Sequence, residues 1–454
     1  MNTVTKIQTT QAVAEQICAT GFRDLPDDVA SYGKTLALSA LGAMVAGASR
    51  VSGRIMTRFA ERAGGSPHAA IMGTRFRAGA ETAAMINAAF AHSTEYEDDS
   101  FPEAVSSYTI FPVAFALGEY LKSSGQELLE AFVLGYETQA RIGLACPETR
   151  RHGMLTLSVA GTLGCAAAAA KLLKLDPGRT TMALSLAASQ CSGIAHQTGT
   201  MAHTLEMGIA ARNGATSALL AADGATGQPD IFEAERGLFH IINGGKVPSA
   251  ADVLGQWGQP YRTMAIGIKS YPCCYHLQRI IEALVELRRK QRFTADEVAE
   301  VTVEVNLFIP QVIQYPEPRD EDQSQFSLPH AVAAALLEER VGPDSFGEKS
   351  ITDASFRRTR AKVKTVVREE WGWATIGWTP IITVSLKNGQ KHVLRPERAS
   401  GQPPHHFSFD QVTEKYRVCL DSRVDKGKID RSIEMLRKLE HCADVGMVVR
   451  ELAQ

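Results

Sequence analysis

The sequence lacks the patterns that mark several common functional classes. Its net charge is only −2 over 454 residues, and it has no sustained block of Lys and Arg. We therefore expect neither nucleic acid nor a membrane as a partner. There is no Gly-x-Gly-x-x-Gly after a strand, no Walker-type phosphate loop and no Gly-x-Ser-x-Gly elbow. A small-molecule substrate is the expectation that remains.

Long hydrophobic runs and paired cysteine motifs are missing as well. The longest apolar stretch, residues 158–170, ends at Lys171 and is too short to cross a bilayer, so we interpret it as a buried helix. Residues 1–6 do not resemble the start of a secretion signal, which predicts a cytoplasmic protein. The eight cysteines include no pair of Cys-x-x-Cys spacings, which predicts reduced thiols and no zinc bound through cysteine.

Alanine-rich helical periodicity fills the first part of the chain. From residue 10 to about 267, apolar residues recur at three- and four-residue spacing. This predicts helices over residues 81–91, 112–121, 126–143, 158–173 and 181–192. We expect a mainly α protein with a large all-helical domain over residues 1–268.

The pattern changes after Lys269. A helix is predicted over residues 277–289, and residues 301–305, 363–367 and 382–386 alternate as half-buried strands. Asn388-Gly389 then predicts a hairpin to residues 391–394, because both turn residues accept positive φ. Helical patterning returns at 408–416 and 430–439. We therefore predict a smaller α+β domain over residues 269–395, inserted before a C-terminal segment, 396–454, that returns to the helical domain.

An acidic run follows the helix predicted over residues 81–91 and reads His92-Ser-Thr-Glu95-Tyr96-Glu97-Asp98-Asp99. In a closed cleft, repulsion between like charges raises the pKa of at least one of these acids. Such a group can exchange a proton near neutral pH. The same pattern is also typical of a solvated loop or helix start. The oxygen spacing is less regular than in dedicated calcium or magnesium loops, so we predict no metal.

Two further segments carry candidate chemistry. Residues 269–276 collect Lys269, Tyr271, two thiols and His276, and the lysine could bind a carboxylate or act as a base, or simply belong to a linker. His196 and His203 flank a glycine-containing break between helices. Imidazole suits neutral-pH proton transfer, although a histidine at a helix junction is often structural. His330 has the same ambiguity.

Taken in order, these segments resemble the MmgE/PrpD family. The likeness rests on the helix ending in His-x-x-acid-aromatic-acid-acid, on Gly161-Thr-Leu-Gly-Cys followed by an alanine run, on Asn213-Gly214, and on Lys-x-Tyr-Pro-x-Cys from residue 269. It runs from about residue 10 to 440. The family includes 2-methylcitrate dehydratase, cis-aconitate decarboxylase and iminodisuccinate epimerase.

The resemblance implies a homodimer with a site between the two domains and no organic cofactor. It places Glu95 at the family's first acidic position and Lys269 at its cleft lysine. Other positions depart from the family pattern. Val105 and Leu155 stand where the family has histidines, while His203 and His330 replace an expected lysine and tyrosine. These changes favour an altered substrate or reaction.

We interpret the chain as a cofactor-independent lyase, dehydratase-like, that abstracts a proton next to a carboxylate of a small di- or tricarboxylate. Catalysis is assigned to Glu95, Lys269, His203, His330 and Asp98, and substrate binding to Asp99, Tyr271, His276 and Tyr96. Arg150 and Arg151 are expected at the surface. The alternatives are an epimerase that shares the first step, and a catalytically silent dimeric binding protein.

Overall fold

A computed structural model of the chain describes residues 8–421 and 423–453, so the interpretation of residues 1–6 lies outside the described part. The helices, in chain order, are α1 (Thr9–Ala19), α2 (Asp27–Gly47), α3 (Val51–Ala63), α4 (Ala80–Ser93), α5 (Ile110–Leu121), α6 (Gly125–Ala145), α7 (Thr156–Leu172), α8 (Pro177–Ala188), α9 (Met201–Ala222), α10 (Leu238–Ile242), α11 (Ala250–Leu254), α12 (Gln278–Gln291), α13 (Glu321–Ser324), α14 (Leu328–Leu337), α15 (Glu348–Thr352), α16 (Ala354–Arg360), α17 (Phe409–Leu420), α18 (Lys426–Arg437) and α19 (Gly446–Leu452). The strands are β1 (Ala69–Ala70), β2 (Arg77–Ala78), β3 (Asp98–Asp99), β4 (Gly267–Ile268), β5 (Val298–Val305), β6 (Val363–Val367), β7 (Ile381–Leu386) and β8 (Lys391–Leu394). Helices make up 58% of the structure and strands 8%, which confirms the mainly α class.

Small residues set the packing of the helical part. Helix α7 is buried along nearly its whole length, and α9 crosses it so closely that a Cβ on Gly214 would lie 2.5 Å from the carbonyl oxygen of Thr162. On another side, Gly135 of α6 and Gly164 of α7 leave no room for a Cβ against each other's backbone. The alanine-rich pattern therefore works through close helix contact rather than through large side chains.

The described residues form two hydrophobic cores. The first gathers α1 to α11 together with the C-terminal helices, and α17 packs against α2 where Gly42 meets Tyr416. The second core lies within residues 273–386 and joins α12, α14 and the sheet. The C-terminal helices thus contribute to the first core although they follow the second in sequence.

A four-stranded sheet underlies the second core, in the order β6-β5-β7-β8. Strands β5 and β6 are parallel, and the other neighbours are antiparallel. The predicted hairpin connects β7 and β8. Of the two turn residues, Gly389 has a positive φ, of 89°, and Asn388 does not.

Helix α2 is the one helix in the described residues that is long and apolar enough to cross a membrane by length and composition. However, 78% of its apolar window is buried inside the protein. A core helix passes the same test, so this is weak support for a membrane span.

Candidate active site

A short strand pair brings the acidic run to Lys269. Strand β3 pairs antiparallel with β4, placing Asp98 opposite Ile268 and Asp99 opposite Gly267. The backbone N–H of Lys269 then donates to the carbonyl of Glu97 at 3.1 Å. The structure therefore confirms the predicted approach of these two distant segments.

Lys269 is the buried centre of the acidic cluster, which we define as Glu95, Glu97, Asp99 and Lys269. Its Nζ lies 3.0 Å from Oε2 of Glu95, 2.5 Å from Oε1 of Glu97 and 3.4 Å from Oδ2 of Asp99. Residues 94 and 95 form a turn after α4 and residues 98 and 99 form β3, and this path of the chain brings the carboxylates of residues 95, 97 and 99 to one cation. One ammonium thus faces three carboxylates.

Burial and charge act in opposite directions within the acidic cluster. Burial, followed by repulsion from Glu97, raises the pKa of Glu95 although Lys269 lowers it. Burial also raises the pKa of Asp99. For Lys269, burial disfavours the ammonium, but the carboxylates raise its pKa well above the ordinary value. The cluster therefore holds a stable cation beside acids that keep protons unusually well.

The backbone of Glu95 is in a conformation that side chains rarely adopt. Glu95 has φ of 48° and follows Thr94, which caps the C-terminus of α4. Glycine is the usual residue at such a position, and another residue costs about 1–3 kcal/mol. The chain accepts this cost, and the carboxylate reaches Lys269.

A cavity of about 130 Å³ opens onto the acidic cluster. Pockets for drug-sized ligands usually measure ~300–1,000 Å³, so this one suits a molecule of a few carbons. Its polar lining also includes His92, Arg150, Thr156, Thr198, His203 and His276, and its apolar lining includes Leu155, Leu157, Phe308, Val312 and Phe326. The lining comes from both cores.

Two buried histidines stand beside Glu95. The rings of His92 and His203 meet edge to face with centroids 4.6 Å apart, and Nε2 of His92 lies 3.5 Å from Oε1 of Glu95. The Nδ1 atoms of both histidines lack a hydrogen-bond partner among the described residues. Burial, the largest cause in each case, lowers both pKa values to about 3. Both imidazoles are therefore neutral near pH 7.

The same side chains offer three donor atoms to a metal. One atom from each of His92, Glu95 and His203 lies within 4.8 Å of the other two. Lys269 already occupies the Glu95 carboxylate, and an ammonium at that distance repels a second cation. We therefore keep the prediction that the site uses no metal.

The structure brings together only part of the predicted set. Glu95, Asp99, Lys269, His203 and His276 line the cavity, whereas Asp98, Tyr96, Tyr271 and His330 do not. The last four side chains therefore lie outside the lining of this cavity, which corrects the position expected for them.

Two of these four belong to the support of the site. Asp98 is directed toward Ser106 and Ser107 instead of Lys269, and its Oδ1 accepts from the backbone N–H of Ser107 at 2.8 Å. Tyr96 lies beneath Lys415, whose Nζ is 4.1 Å from the ring centroid. Lys415 in turn donates to the backbone carbonyls of Tyr96 and Lys269, so that contacts of both side chains lie next to the cluster.

The other two belong to the second core. Tyr271 packs against that core. His330 sits in the first turn of α14, where its Nε2 lies 2.8 Å from the carbonyl oxygen of Ser345 and its Nδ1 lies 3.2 Å from Arg360. Its ring is held between Phe346 and Phe356. His330 is thus a satisfied structural histidine.

The cavity lining also includes residues that were not among the predicted site residues. Glu97 contacts Lys269 directly, and the alternation of residues 95, 97 and 99 was the signal for it. Arg150 lines the cavity, which corrects the expected surface position, whereas Arg151 is exposed as expected. Leu155 and Val105 stand where the family resemblance led us to expect histidines. Leu155 lines the cavity, whereas Val105 is buried elsewhere.

Comparison with known proteins shows likeness along almost the whole chain. Cis-aconitate decarboxylase of Mus musculus is 25% identical, over 98% of this chain and 93% of that protein. The cis-aconitate decarboxylase-like protein oryM of Aspergillus oryzae is 27% identical, over 93% and 92%. Cis-aconitate decarboxylase of Aspergillus terreus is 29% identical, over 93% and 91%.

Both halves of the chain also match one family. Residues 11–251 match the MmgE/PrpD N-terminal domain, and residues 271–441 match the MmgE/PrpD C-terminal domain. The acidic run lies within the first match, and Lys269 lies between the two. The chain belongs to the MmgE/PrpD family.

Proposed function

We propose that the protein is a cofactor-independent lyase that acts on a small di- or tricarboxylate at the carbon next to a carboxylate. The observation that carries this proposal is the acidic cluster, in which Lys269 meets three carboxylates beside two neutral imidazoles. The curated relatives named as cis-aconitate decarboxylases support a lyase and a carboxylate substrate.

The cluster supplies the two groups that such chemistry needs. Breaking a bond next to a carboxylate leaves negative charge in a carbanion-like or enolate-like state, which a preorganised cation stabilises. Lys269 is that cation. Glu95 is the proton-transfer group, because its pKa is raised and its carboxyl lines the cavity. His203 and His92 can pass the proton onward.

Decarboxylation and dehydration place different demands on these groups. In decarboxylation the C–C bond to a carboxylate breaks and CO₂ leaves. The electron pair of that bond stays on the substrate as a carbanion, which takes a proton from an acid. In dehydration a base takes the α-hydrogen, and the departing hydroxide takes a proton from an acid, so that water leaves. One protonated Glu95 suffices for the first reaction, whereas the second also needs a base; His203, the residue predicted for that role, is a weak base because burial lowers its pKa.

A substrate panel in deuterated water tests the proposal. The protein is incubated with cis-aconitate, citrate and related carboxylates, and the products are followed by NMR. We expect loss of CO₂ or of water from at least one member. Deuterium entering the substrate carbon with inversion and no new double bond would instead identify an epimerase. Tight binding of several carboxylates with no turnover of any would identify a silent binding protein.

Two further features remain predictions. The family resemblance predicts a homodimer, which sedimentation of the purified protein would test. A cytoplasmic location is predicted from the sequence alone and is testable by cell fractionation.

A further inference from the structure

Arg150 is a cation without a carboxylate partner in the described residues. It follows α6 in a turn, where its carbonyl accepts from the N–H of Gly153. The neighbouring acid, Glu148, pairs instead with Arg151 at 3.5 Å. Within residues 8–421 and 423–453, the only polar side chain within hydrogen-bond distance of Arg150 is Thr198, at 3.5 Å. A guanidinium so placed has most of its donors free.

Arg150 is half-buried and lies beside an aromatic ring. Its guanidinium carbon lies 5.8 Å from the ring centroid of Phe308, and the Phe308 ring in turn meets His276 at 5.2 Å. Burial lowers the pKa of Arg150, but the group stays charged because arginine titrates far above neutral pH. A charge that has lost part of its water is stabilised when an anion compensates it.

Arg150 also stands where two cavities meet. It is the one described residue that lines both the cavity of the acidic cluster and an outer cavity of about 370 Å³ whose lining includes His196 and Arg151. In addition to the larger effect of burial, the positive charges of Arg150 and Lys269 both lower the pKa of His203 and of His276. A ligand in the inner cavity therefore meets two cations that belong to different parts of the chain.

We propose that Arg150 binds a second carboxylate of the substrate, so that the site selects compounds with at least two carboxylates. This inference rests on the proposed function as far as the reaction is concerned. The predicted binding of the second carboxylate does not depend on it. A planar guanidinium grips a carboxylate with two parallel hydrogen bonds. The carboxylate next to the reacting carbon faces Lys269, and the second one faces Arg150. A monocarboxylate of equal length leaves Arg150 unpaired.

Binding of matched anions tests the inference. Succinate, cis-aconitate and the monocarboxylate butyrate are titrated calorimetrically into the wild-type protein and into Arg150→Gln, Arg150→Lys and Arg151→Gln. We expect Arg150→Gln to weaken succinate and cis-aconitate binding roughly 10- to 100-fold, the usual effect of losing a charged hydrogen bond, and to leave butyrate nearly unchanged. Arg150→Lys keeps the charge but not the two parallel donors of the guanidinium, and it should lose less affinity for succinate and cis-aconitate than Arg150→Gln. Arg151→Gln is the matched control and should bind like the wild type.

The outcomes separate the possible roles. If Arg150 merely attracts anions at the entrance, its replacement weakens butyrate as much as succinate, and the inference is wrong. It is also wrong if Arg150→Gln binds succinate normally or if the wild type binds none of the three anions. Binding that depends on Arg150 without any turnover would leave the inference standing and remove the proposed lyase. Should Arg150→Gln fail to fold, the smaller loss expected for Arg150→Lys decides between the same outcomes.

Discussion

The Nζ of Lys269 lies 3.0 Å from Oε2 of Glu95, although 174 positions of sequence separate the two residues. The contact joins a residue just after a helix of the first core to one just before the second core. Because Lys269 also contacts Glu97 and Asp99, its charge organises every acid that faces the cavity. In the proposed reaction, proton transfer and fold stability therefore depend on the same ammonium.

Replacing Lys269 with methionine should make the stability of the folded protein fall as pH rises. Without the cation, the pKa of Glu95 rises further above 4.5, its ordinary value. The folded state then holds more protons than the unfolded state above pH 4.5, so stability falls as pH rises. We expect a loss of about 3–5 kcal/mol at pH 8 and a smaller loss at pH 5.5, measured by urea unfolding. Lys174→Met, at a side chain that is 76% exposed, is the control. Equal losses at both pH values would count against the electrostatic role.

The buried histidines should destabilise the protein in acid. The pKa values of His92 and His203 fall from 6.5 to about 3, chiefly through burial, so the unfolded state binds more protons between these limits. Stability must then rise with pH across this window, by up to about 1.4 kcal/mol per pH unit for each histidine. His92→Gln should reduce the slope of unfolding free energy between pH 4 and 6, whereas replacing the exposed His405 should not. An unchanged slope in His92→Gln would mean that His92 already carries a charge in the folded protein.

Asp98 should matter for structure rather than for the chemical step. Its carboxylate accepts hydrogen bonds from the backbone and hydroxyl of Ser107 and from the hydroxyl of Ser106. Asp98→Asn should therefore cost about 1–3 kcal/mol of stability and change kcat only a few-fold. Asp99→Asn, which faces Lys269, is the comparison and should affect kcat more. A larger loss of kcat in Asp98→Asn than in Asp99→Asn, with stability unchanged, would show that Asp98 takes part in the reaction.

Chelators should leave turnover unchanged. His92, Glu95 and His203 are close enough to hold an ion, but the Lys269 ammonium shares the Glu95 carboxylate. We expect protein treated with EDTA to keep its activity, and added Co²⁺ to give no visible absorption band. Activity that is lost on chelation and restored by a metal, together with a cobalt band that disappears in His92→Gln, would show a metal enzyme.

The architecture was largely predictable because local pattern decides it. Strands β6 and β8 begin and end where alternation and the Asn388-Gly389 turn predicted, and the long helices differ from prediction by a few residues. Alanine spacing and strand alternation are properties of neighbouring residues. Contacts within one segment follow from them.

The site was predictable only where the segment itself carried the signal. The crowding of carboxylates pointed to Glu95 and Asp99. Helix α14 instead turns His330 into the second core, where the Ser345 carbonyl satisfies it, and the local sequence gives no sign of this. Arg150 reaches the cavity because the turn after α6 is held to residues 193–195, which is a long-range contact. Side-chain direction at loop positions depends on such contacts.

Turnover by Glu95→Gln tests the central claim most directly, because this change removes the transferable proton and keeps the shape of the side chain. The measurement is the rate of carboxylate conversion by NMR, using the substrate that the wild type converts, with folding checked by circular dichroism. Glu61→Gln, at an exposed glutamate of α3, is the control. The account predicts a loss of kcat of roughly 10²- to 10⁴-fold in a folded protein that still binds the substrate. Conversion by Glu95→Gln at the wild-type rate would contradict it.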